Sequence, residues 1–132
     1  MIVEAGHDAK VAEWLKCVGI HLCPPFVTLA MVENGKIIAA AVFNNYQDSN
    51  IDMSVVFSRR IALTRGNLRA LFSYPFEQAK VRRISVRTRA SNLNVRKQIR
   101  RLGFKPEGKQ TQFFGNEDAM LYGMTRSDCK WL

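Results

Sequence analysis

The chain has 132 residues, enough for one domain, which at this size buries roughly two-thirds of the surface that the unfolded chain exposes. A hydrophobic fraction of 47% excludes a disordered protein, and no apolar run approaches the ~18 residues of a membrane-spanning helix. The net charge of +9 is segregated, because residues 59–105 contain 14 Lys and Arg against one acid while the rest is net acidic. This basic segment predicts a polyanionic partner.

The N-terminal residues and the cysteines bear on the compartment and on metal binding. Residues 1–10 carry acids where a signal peptide has bases and contain no apolar core, so we expect a cytoplasmic protein without membrane contact. Cys17, Cys23 and Cys129 form an odd set without the paired spacing of a zinc site, which favours free structural thiols. His21 and Cys23 would supply only two ligands. We therefore predict no metal site.

The first helix and the first strands have separate signals. Residues 7–18 place apolar side chains at helical spacing, which predicts a helix, and Pro24-Pro25 then requires an extended or turned segment. Asn34-Gly35 is a strong hairpin signal, so the apolar segments 26–32 and 36–43 beside it are predicted to pair as antiparallel strands. After a polar turn over residues 44–50, alternation over residues 51–57 predicts a third strand.

Two further helices are predicted in the basic half. Thr64 is a candidate cap for a helix whose apolar residues extend to position 79, with a kink or an early end at Pro75. Residues 84–89 alternate as a strand does, and an amphipathic basic helix follows between Asn92 and Gly103. Pro106 and Gly108 then predict a turn of the chain.

These elements predict the fold class. Their order is α, β, β, β, α, β, α, β, β, without a repeat or a low-complexity segment. An antiparallel meander followed by helices between strands is typical of an α/β (α+β) protein. We expect a single domain over residues 1–132, with a mixed, mostly antiparallel sheet of about six to seven strands and helices on both faces.

Three stretches resemble a known family. Asn92, the helix that follows it and the run Leu-Gly-Phe-Lys-Pro-Glu-Gly ending at Gly108 resemble the second half of the GNAT superfamily of N-acetyltransferases. Residues 118–124 resemble that superfamily's last strand, and residues 129–132 resemble the ending of small members carried by phages. The resemblance covers roughly residues 27–132. It implies a GNAT-like fold and acetyl-coenzyme A as co-substrate, with no metal.

The resemblance implies a site for the coenzyme's pyrophosphate after the fourth strand, at a helix N-terminus. The corresponding loop, residues 58–67, departs from the family's glycine pattern because Ala62 or Leu63 stands where the first Gly is expected. Arg59, Arg60 and Arg65 could compensate by direct charge on the phosphates, and solvated surface arginines are the alternative. Gly66, in the same loop, is a further candidate coenzyme-binding residue.

The resemblance also implies contacts along the coenzyme's pantetheine arm. Backbone groups of Val55, Val56 and Phe57 are expected to meet that arm in a splay between their strand and residues 84–89. Asn92 and Arg96 carry over as coenzyme contacts at the start of the following helix. A simple helix cap is the alternative role for Asn92, and both roles are compatible.

Asp52 is our candidate for the general base, because an acceptor ammonium must lose a proton before its nitrogen can attack a thioester. A surface Asp in a turn is the alternative. The tyrosine that relatives place four residues before the helix-ending glycine is absent, since Ile99 stands there. Tyr46 or Tyr122 is therefore nominated to protonate the thiolate, with Tyr122 taken as the catalytic residue. Tyr46 and Ser54 are the candidate acceptor-binding residues.

Two functions of different classes follow. The first is transfer of an acetyl group from acetyl-coenzyme A to an amine by direct attack in a ternary complex, the amine being a small molecule, a protein N-terminus or a lysine. The alternative is a degenerate GNAT-fold module that binds nucleic acid or a host protein through its Arg-rich patch. A homodimer and a phage source, with the host cytoplasm as compartment, are further expectations.

Overall fold

The computed structural model describes residues 1–58 and 63–132. In chain order the elements are β1 Ile2–Glu4, α1 Asp8–Cys17, β2 Phe26–Glu33, β3 Lys36–Gln47, β4 Asn50–Phe57, α2 Arg65–Ser73, β5 Arg83–Arg89, α3 Leu93–Leu102, β6 Lys105–Gln110 and β7 Ala119–Thr125. The strands form one sheet in the order β1-β2-β3-β4-β5-β7-β6. Neighbours are antiparallel except for β4 and β5, which are parallel, so the predicted mixed sheet is confirmed.

The predicted hairpin between β2 and β3 is present. Glu33 and Lys36 are register partners, and the two turn residues between them have positive φ, 51° for Asn34 and 75° for Gly35. A two-residue turn of this kind matches the right-handed twist of the strands that it joins. The meander β2-β3-β4 therefore begins where the sequence predicted it.

The sheet divides at its centre, between β4 and β5. These strands pair over three positions, Asn50 with Arg83, Ile51 with Ile84 and Asp52 with Ser85. Beyond them β4 continues to pair with β3, and β5 continues to pair with β7. Both strands lie in the described part of the chain, and their pairing with each other stops at Asp52. The second halves of the two strands therefore border a cleft that opens through the sheet.

Helices cover both faces of the sheet, as predicted. On one face α1 packs Val11 and Leu15 against Ala30, Ala40 and Val42 of β2 and β3. The larger core lies on the other face, where side chains of α2 and α3 pack on five strands; its buried members include Leu29, Phe43, Met53, Phe72, Ile84, Ile99 and Met124. Among the described helices, α1 alone packs on its face. Polar side chains occupy the α1 face of β5, at Arg83, Ser85 and Arg87, and that of β4 at Asp52 and Ser54.

Helix ends follow the caps that the sequence predicts. Thr64 and Asn67 form a reciprocal capping box at the start of α2, and the Asn92 side chain accepts a hydrogen bond of 3.3 Å from the Val95 amide at the start of α3. Gly103 ends α3 with φ of 110°. These contacts satisfy amides that have no partner within a helix.

The structure differs from the sequence predictions in four places. A short strand, β1, pairs with β2 and was not predicted. The polar turn is shorter than residues 44–50, because β3 continues to Gln47 through a register shift. The α-helix ends before Pro75, at Ser73, which is one of the two predicted alternatives, but the chain then stays helical as a π-helical segment, Tyr74–Gln78. Pro106 and Gly108 lie within β6, an edge strand with a bulge, where a proline is tolerated.

Within the described ranges, none of the helices is long and apolar enough to cross a membrane. The cysteines carry no disulfide: Cys17 and Cys23 are exposed and Cys129 is half-buried.

Candidate active site

A polar groove of about 570 Å³ lies on the α1 face of the sheet, beside the point where β4 and β5 part. Residues of β3, β4, β5, β6 and β7 line it, among them Asn45, Asn50, Arg87 and Glu107. Three of the nominated residues, Tyr46, Asp52 and Tyr122, also line this groove. Tyr46 is 61% exposed, so its ring is accessible to a ligand.

Asp52 is held by three neighbours. Its carboxylate accepts hydrogen bonds of 3.0 Å from the Asn45 side-chain amide and 3.2 Å from that of Asn50. A terminal nitrogen of Arg87 lies 3.6 Å from the same carboxylate. The side chain is only 16% exposed and lies in β4, whereas the alternative placed Asp52 in a surface turn. Register explains the arrangement, because Asp52 pairs with Ser85 and Arg87 is the next residue on that face of β5.

Arg87 is also anchored away from Asp52. Its Nε donates a hydrogen bond of 3.2 Å to the Gln110 side chain on β6. Its guanidinium carbon lies 4.6 Å from the centre of the Phe113 ring, in cation–π geometry. The guanidinium therefore has a defined position that does not depend on Asp52 alone.

A second arginine–carboxylate pair borders the groove. Arg83 donates two hydrogen bonds to Glu107, and its Nε donates to the Asn50 side chain at 3.1 Å. The hydrogen bond to Glu107 raises the pKa of Arg83 further above its ordinary value, so this guanidinium stays charged. Ser85 completes the network by donating to Asn50 at 2.6 Å.

Tyr122 lines the groove, but its side chain packs in the larger core, on the opposite face of the sheet from the Asp52 side chain. It is directly across from Val86 on β5 and is 1% exposed in the larger core. Its hydroxyl oxygen accepts a hydrogen bond of 3.0 Å from Nε of Arg96, which also donates to the Ala90 carbonyl at 2.9 Å. Tyr122 is therefore held at the α3 side of the cleft, with its own O–H free to donate.

The nominated residues of β4 border the cleft. Val55, Val56 and Phe57 pair with Ala41, Ala40 and Ala39 of β3, and their other edge faces the gap towards β5. Val55 and Val56 are half-buried, and Phe57 is 42% exposed. Ser54 is exposed on the α1 face of the same strand. Backbone groups on the cleft side of β4 are thus available to a ligand.

The residues predicted to bind phosphate have different outcomes. Arg59 and Arg60 lie outside the described residues. Arg65 begins α2, but its guanidinium donates to the Lys130 carbonyl at 3.0 Å and lies 5.7 Å from the centre of the Trp131 ring. Gly66 is in the first turn of α2, where its nearest neighbour across the turn is Thr64.

Sequence reasoning missed the residues that organise the groove. Arg83 and Arg87 were counted only in the basic segment, and Glu107 was not considered. A weak signal was available, because Arg83, Ser85 and Arg87 alternate on one face of β5. Their partners come from β4 and β6, however, and strand register decides those contacts.

In the part of the chain that the structure describes, no three His, Cys, Asp or Glu side chains are grouped so that they could hold a metal ion. The donor set of the groove consists of amides and of carboxylates already paired with arginines. It suits organic ions better than a metal.

Comparisons with known proteins give matches at the level of structure. No family model matches the chain, and no curated protein sequence matches it. A variant of spermidine N-acetyltransferase SpeG from Vibrio cholerae matches with a TM-score of 0.80 at 11% identity, over 100% of this chain and 98% of that one. A ribosomal-protein-S5-alanine acetyltransferase from Vibrio fischeri matches with a TM-score of 0.68 at 18% identity, over 92% and 70%.

A third structure, AAC(6')-Ib in complex with parmomycin and acetyl-CoA, matches with a TM-score of 0.60 at 18% identity, over 78% of this chain and 66% of that one. At such identities the likeness concerns the fold. The seven-stranded mixed sheet with its flanking helices matches the GNAT acyltransferase fold.

Proposed function

We propose that the protein is an N-acetyltransferase that moves an acetyl group from acetyl-coenzyme A to an amine within a ternary complex. The observation that carries this proposal is the split of the sheet after Asp52 and Ser85, which leaves one backbone edge of β4 facing a cleft beside a polar groove. An extended pantetheine arm can use such an edge as a peptide strand would. The matching folds support acetyl transfer in general.

In this proposal the coenzyme and the acceptor reach the reaction centre from different sides. The pantetheine arm lies along Val55, Val56 and Phe57, with the phosphates towards the N-terminus of α2 and the arginines beside it. Asn92 and Arg96 contact the coenzyme from the start of α3. The acceptor enters from the groove, where Tyr46 and Ser54 contribute to its binding.

Asp52 and Tyr122 have complementary proton-transfer roles in the proposed reaction. Asp52 takes a proton from the acceptor ammonium, directly or through water, and the free amine nitrogen attacks the thioester carbonyl carbon. The C–N bond forms and the C–S bond breaks as the nitrogen gives up its second proton to water. The thiolate accepts a proton from the Tyr122 hydroxyl, and water reprotonates the phenolate. Their positions on opposite faces suit these roles, because the thioester would sit in the cleft between them.

Calorimetry with acetyl-coenzyme A tests the proposal first. We expect micromolar binding, and appearance of free thiol when an amine acceptor is added. Coenzyme A without the acetyl group is the control, since it should bind without releasing further thiol. Absence of coenzyme binding would remove the proposed function.

A second function, nucleic-acid binding, is favoured by one observation. Lys97, Arg100 and Arg101 are exposed on α3, and none of them makes an ion pair among the described residues. The nucleic-acid-binding function is favoured if the protein binds DNA with an affinity that falls steeply with salt and does not bind the coenzyme. The phage source, the homodimer and the cytoplasmic location stay predictions.

A further inference from the structure

We propose that the acceptor is a small zwitterion, an amine that also carries a carboxylate, as a free amino acid does. Its ammonium would contact Asp52 and its carboxylate would contact Arg87. This inference rests on the proposed function and narrows the acceptor from amines in general to one charge pattern.

The charge balance of the groove is the first observation. It contains two carboxylates, Asp52 and Glu107, and each is paired with an arginine of β5. The net charge of these four groups is zero, within a chain whose net charge is +9. A site for a polyamine needs an excess of carboxylates, because each ammonium that leaves water requires a compensating charge. The groove does not offer that excess.

The two arginine–carboxylate pairs differ in how directly their side chains are hydrogen-bonded to each other. Arg83 donates two hydrogen bonds to Glu107 and one to Asn50, so this pair is closed to a ligand. Arg87 approaches Asp52 through one nitrogen at 3.6 Å, beyond hydrogen-bond length. A ligand can therefore enter between Asp52 and Arg87 without breaking a direct hydrogen bond.

The anchors on each side determine what can enter. Gln110 and Phe113 hold Arg87, while Asn45 and Asn50 hold Asp52. Both charges keep their positions when their mutual attraction is replaced by contacts with a ligand. A zwitterion replaces one internal pair with two charge-assisted hydrogen bonds, and it leaves neither side chain unpaired. A simple cation would pair with Asp52 and leave Arg87 without its carboxylate.

The location connects this pair with the proposed chemistry. Asp52 is the last β4 residue that pairs with β5, and Arg87 is the first α1-face residue of β5 beyond the split. An ammonium on Asp52 therefore lies at the apex of the cleft that the thioester would occupy. The carboxylate on Arg87 would orient the acceptor, so Arg87 is assigned a specificity-determining role.

The test uses the whole chain and a matched panel of ligands: free amino acids, their amides, and spermidine. Binding is measured by NMR from shifts of groove amides, which requires no turnover, and kcat/KM is measured in parallel with acetyl-coenzyme A. We expect at least one amino acid to bind and to react better than its amide by roughly tenfold or more, the scale of a charge-assisted hydrogen bond.

Variants of Arg87 sharpen the test. Arg87→Gln should abolish the preference for the amino acid over its amide, while Arg87→Lys should keep part of it because charge remains without the planar fork. Arg89→Gln is the matched control, since Arg89 lies on the same strand but pairs with Glu117 and Phe114 outside the groove. It should leave the preference unchanged. The melting temperature and coenzyme affinity of each variant verify that it folds.

The outcomes separate the two proposals. The proposal of a zwitterionic acceptor fails if spermidine or the amides bind as tightly as every amino acid. It also fails if no member of the panel binds. A preference that persists in Arg87→Gln would overturn the role of Arg87. If an amino acid binds in the groove while acetyl-coenzyme A does not bind, the site stands and the acetyltransferase proposal fails.

Discussion

Asp52 reaches its position because it is the last residue of β4 to pair with β5. Two asparagine amides fix the orientation of its carboxylate, and Arg87 adds a positive charge at 3.6 Å. At the scale of single residues, the candidate base is thus preorganised.

Asp52→Asn tests the general base. The amide keeps the size of the side chain and removes its basicity, so we expect normal binding of acetyl-coenzyme A and a 10²- to 10⁴-fold loss of turnover near pH 7, on the order typical of general bases. Part of the activity should return at high pH, where free amine accumulates. A pH–rate profile of variant and parent measures this. Equal turnover at all pH values would leave deprotonation to solvent or to a residue such as Glu33.

Trp131 joins the ends of two helices. Its Nε1 donates to the Leu102 carbonyl at 2.8 Å, at the end of α3, and its ring lies beside Arg65 at the start of α2. A carbonyl in the last turn of a helix has no partner within the helix, so the indole satisfies it. The C-terminal segment therefore ties α3 to the helix that begins at the expected phosphate loop.

Trp131→Phe should lower the free energy of unfolding by about 1 kcal/mol, because it removes the N–H while keeping an aromatic ring. Chemical denaturation measures the change. Lys97→Gln is a suitable control, since Lys97 is exposed on α3 and makes no ion pair among the described residues. If both variants are as stable as the parent, the indole hydrogen bond contributes nothing. The bond to Lys130 uses one terminal nitrogen of Arg65, so the other N–H groups of its guanidinium can still meet the predicted phosphate.

At the scale of elements, the hairpin turn between β2 and β3 depends on the backbone conformation of its two residues more than on contacts with the rest of the protein. Asn34 and Gly35 both have positive φ, and a Cβ added at Gly35 would meet no atom within 4 Å. A side chain at Gly35 would therefore destabilise the turn through its backbone conformation and not through a clash with neighbouring atoms.

Gly35→Val should destabilise the domain by roughly 1 kcal/mol or more, because a β-branched residue rarely adopts this conformation. Gly66→Ala is the matched control. Gly66 lies in α2 and a Cβ there would meet only Thr64 at 3.8 Å, so alanine should leave stability equal or raise it by up to about 1 kcal/mol. Thermal unfolding of both variants measures these changes. A Gly35→Val variant as stable as the parent would contradict the predicted role of the turn.

The β6–β7 loop is held by a carboxylate. Glu117 accepts a hydrogen bond of 2.8 Å from the Ser91 amide and pairs with Arg89 at 3.4 Å. Hydrogen bonds from Ser91, and then the charge and hydrogen bond of Arg89, lower the pKa of Glu117 below its ordinary value of 4.5. The folded state therefore favours the charged form. Its stabilising contribution is present above the ordinary pKa and is lost as pH falls through the lowered one.

Glu117→Gln should destabilise the protein at pH 7, and the difference from the parent should shrink as pH falls below 4.5. Urea unfolding over a pH series measures it. Glu13→Gln is the control, because Glu13 is 75% exposed and pairs only with Lys16 on the helix surface. A constant difference over the whole pH range would show that Glu117 acts through its shape and not its charge.

At the scale of the whole molecule, the fold sorts the basic residues into two groups. Arg83, Arg87 and Arg89 face carboxylates across the sheet, whereas Lys97, Arg100 and Arg101 remain exposed on α3. The first group is locally neutralised. The second group and the net charge of +9 create the field that a polyanion meets.

We therefore expect the affinity for acetyl-coenzyme A to fall several-fold when salt is raised from about 0.05 M to about 0.5 M, since the Debye length shortens over this range. The affinity for the acceptor should change less, because the groove has no net charge. Calorimetry at several salt concentrations measures both. An affinity for the coenzyme that is independent of salt would contradict the role of the basic segment in holding its phosphates.

The sequence by itself determined the features whose signals are local. The Asn34-Gly35 turn, the Thr64 and Asn92 caps and the glycine that ends α3 were all predicted, because each depends on the conformational preference of one or two residues. Alternation of side chains predicted β4 and β5, and their order along the chain predicted a mixed sheet. The resemblance to the GNAT superfamily added the expectation of a splay.

Only the tertiary structure decided which charges meet. Arg87 could have faced solvent, and its contact with Asp52 follows from the register of β4 on β5, which no local pattern specifies. The same holds for Glu107, brought to Arg83 by β6, and for Trp131, which reaches Leu102 across 29 positions. Local preferences act within a few residues, whereas packing of the two cores fixes the strand order and register that bring these side chains together.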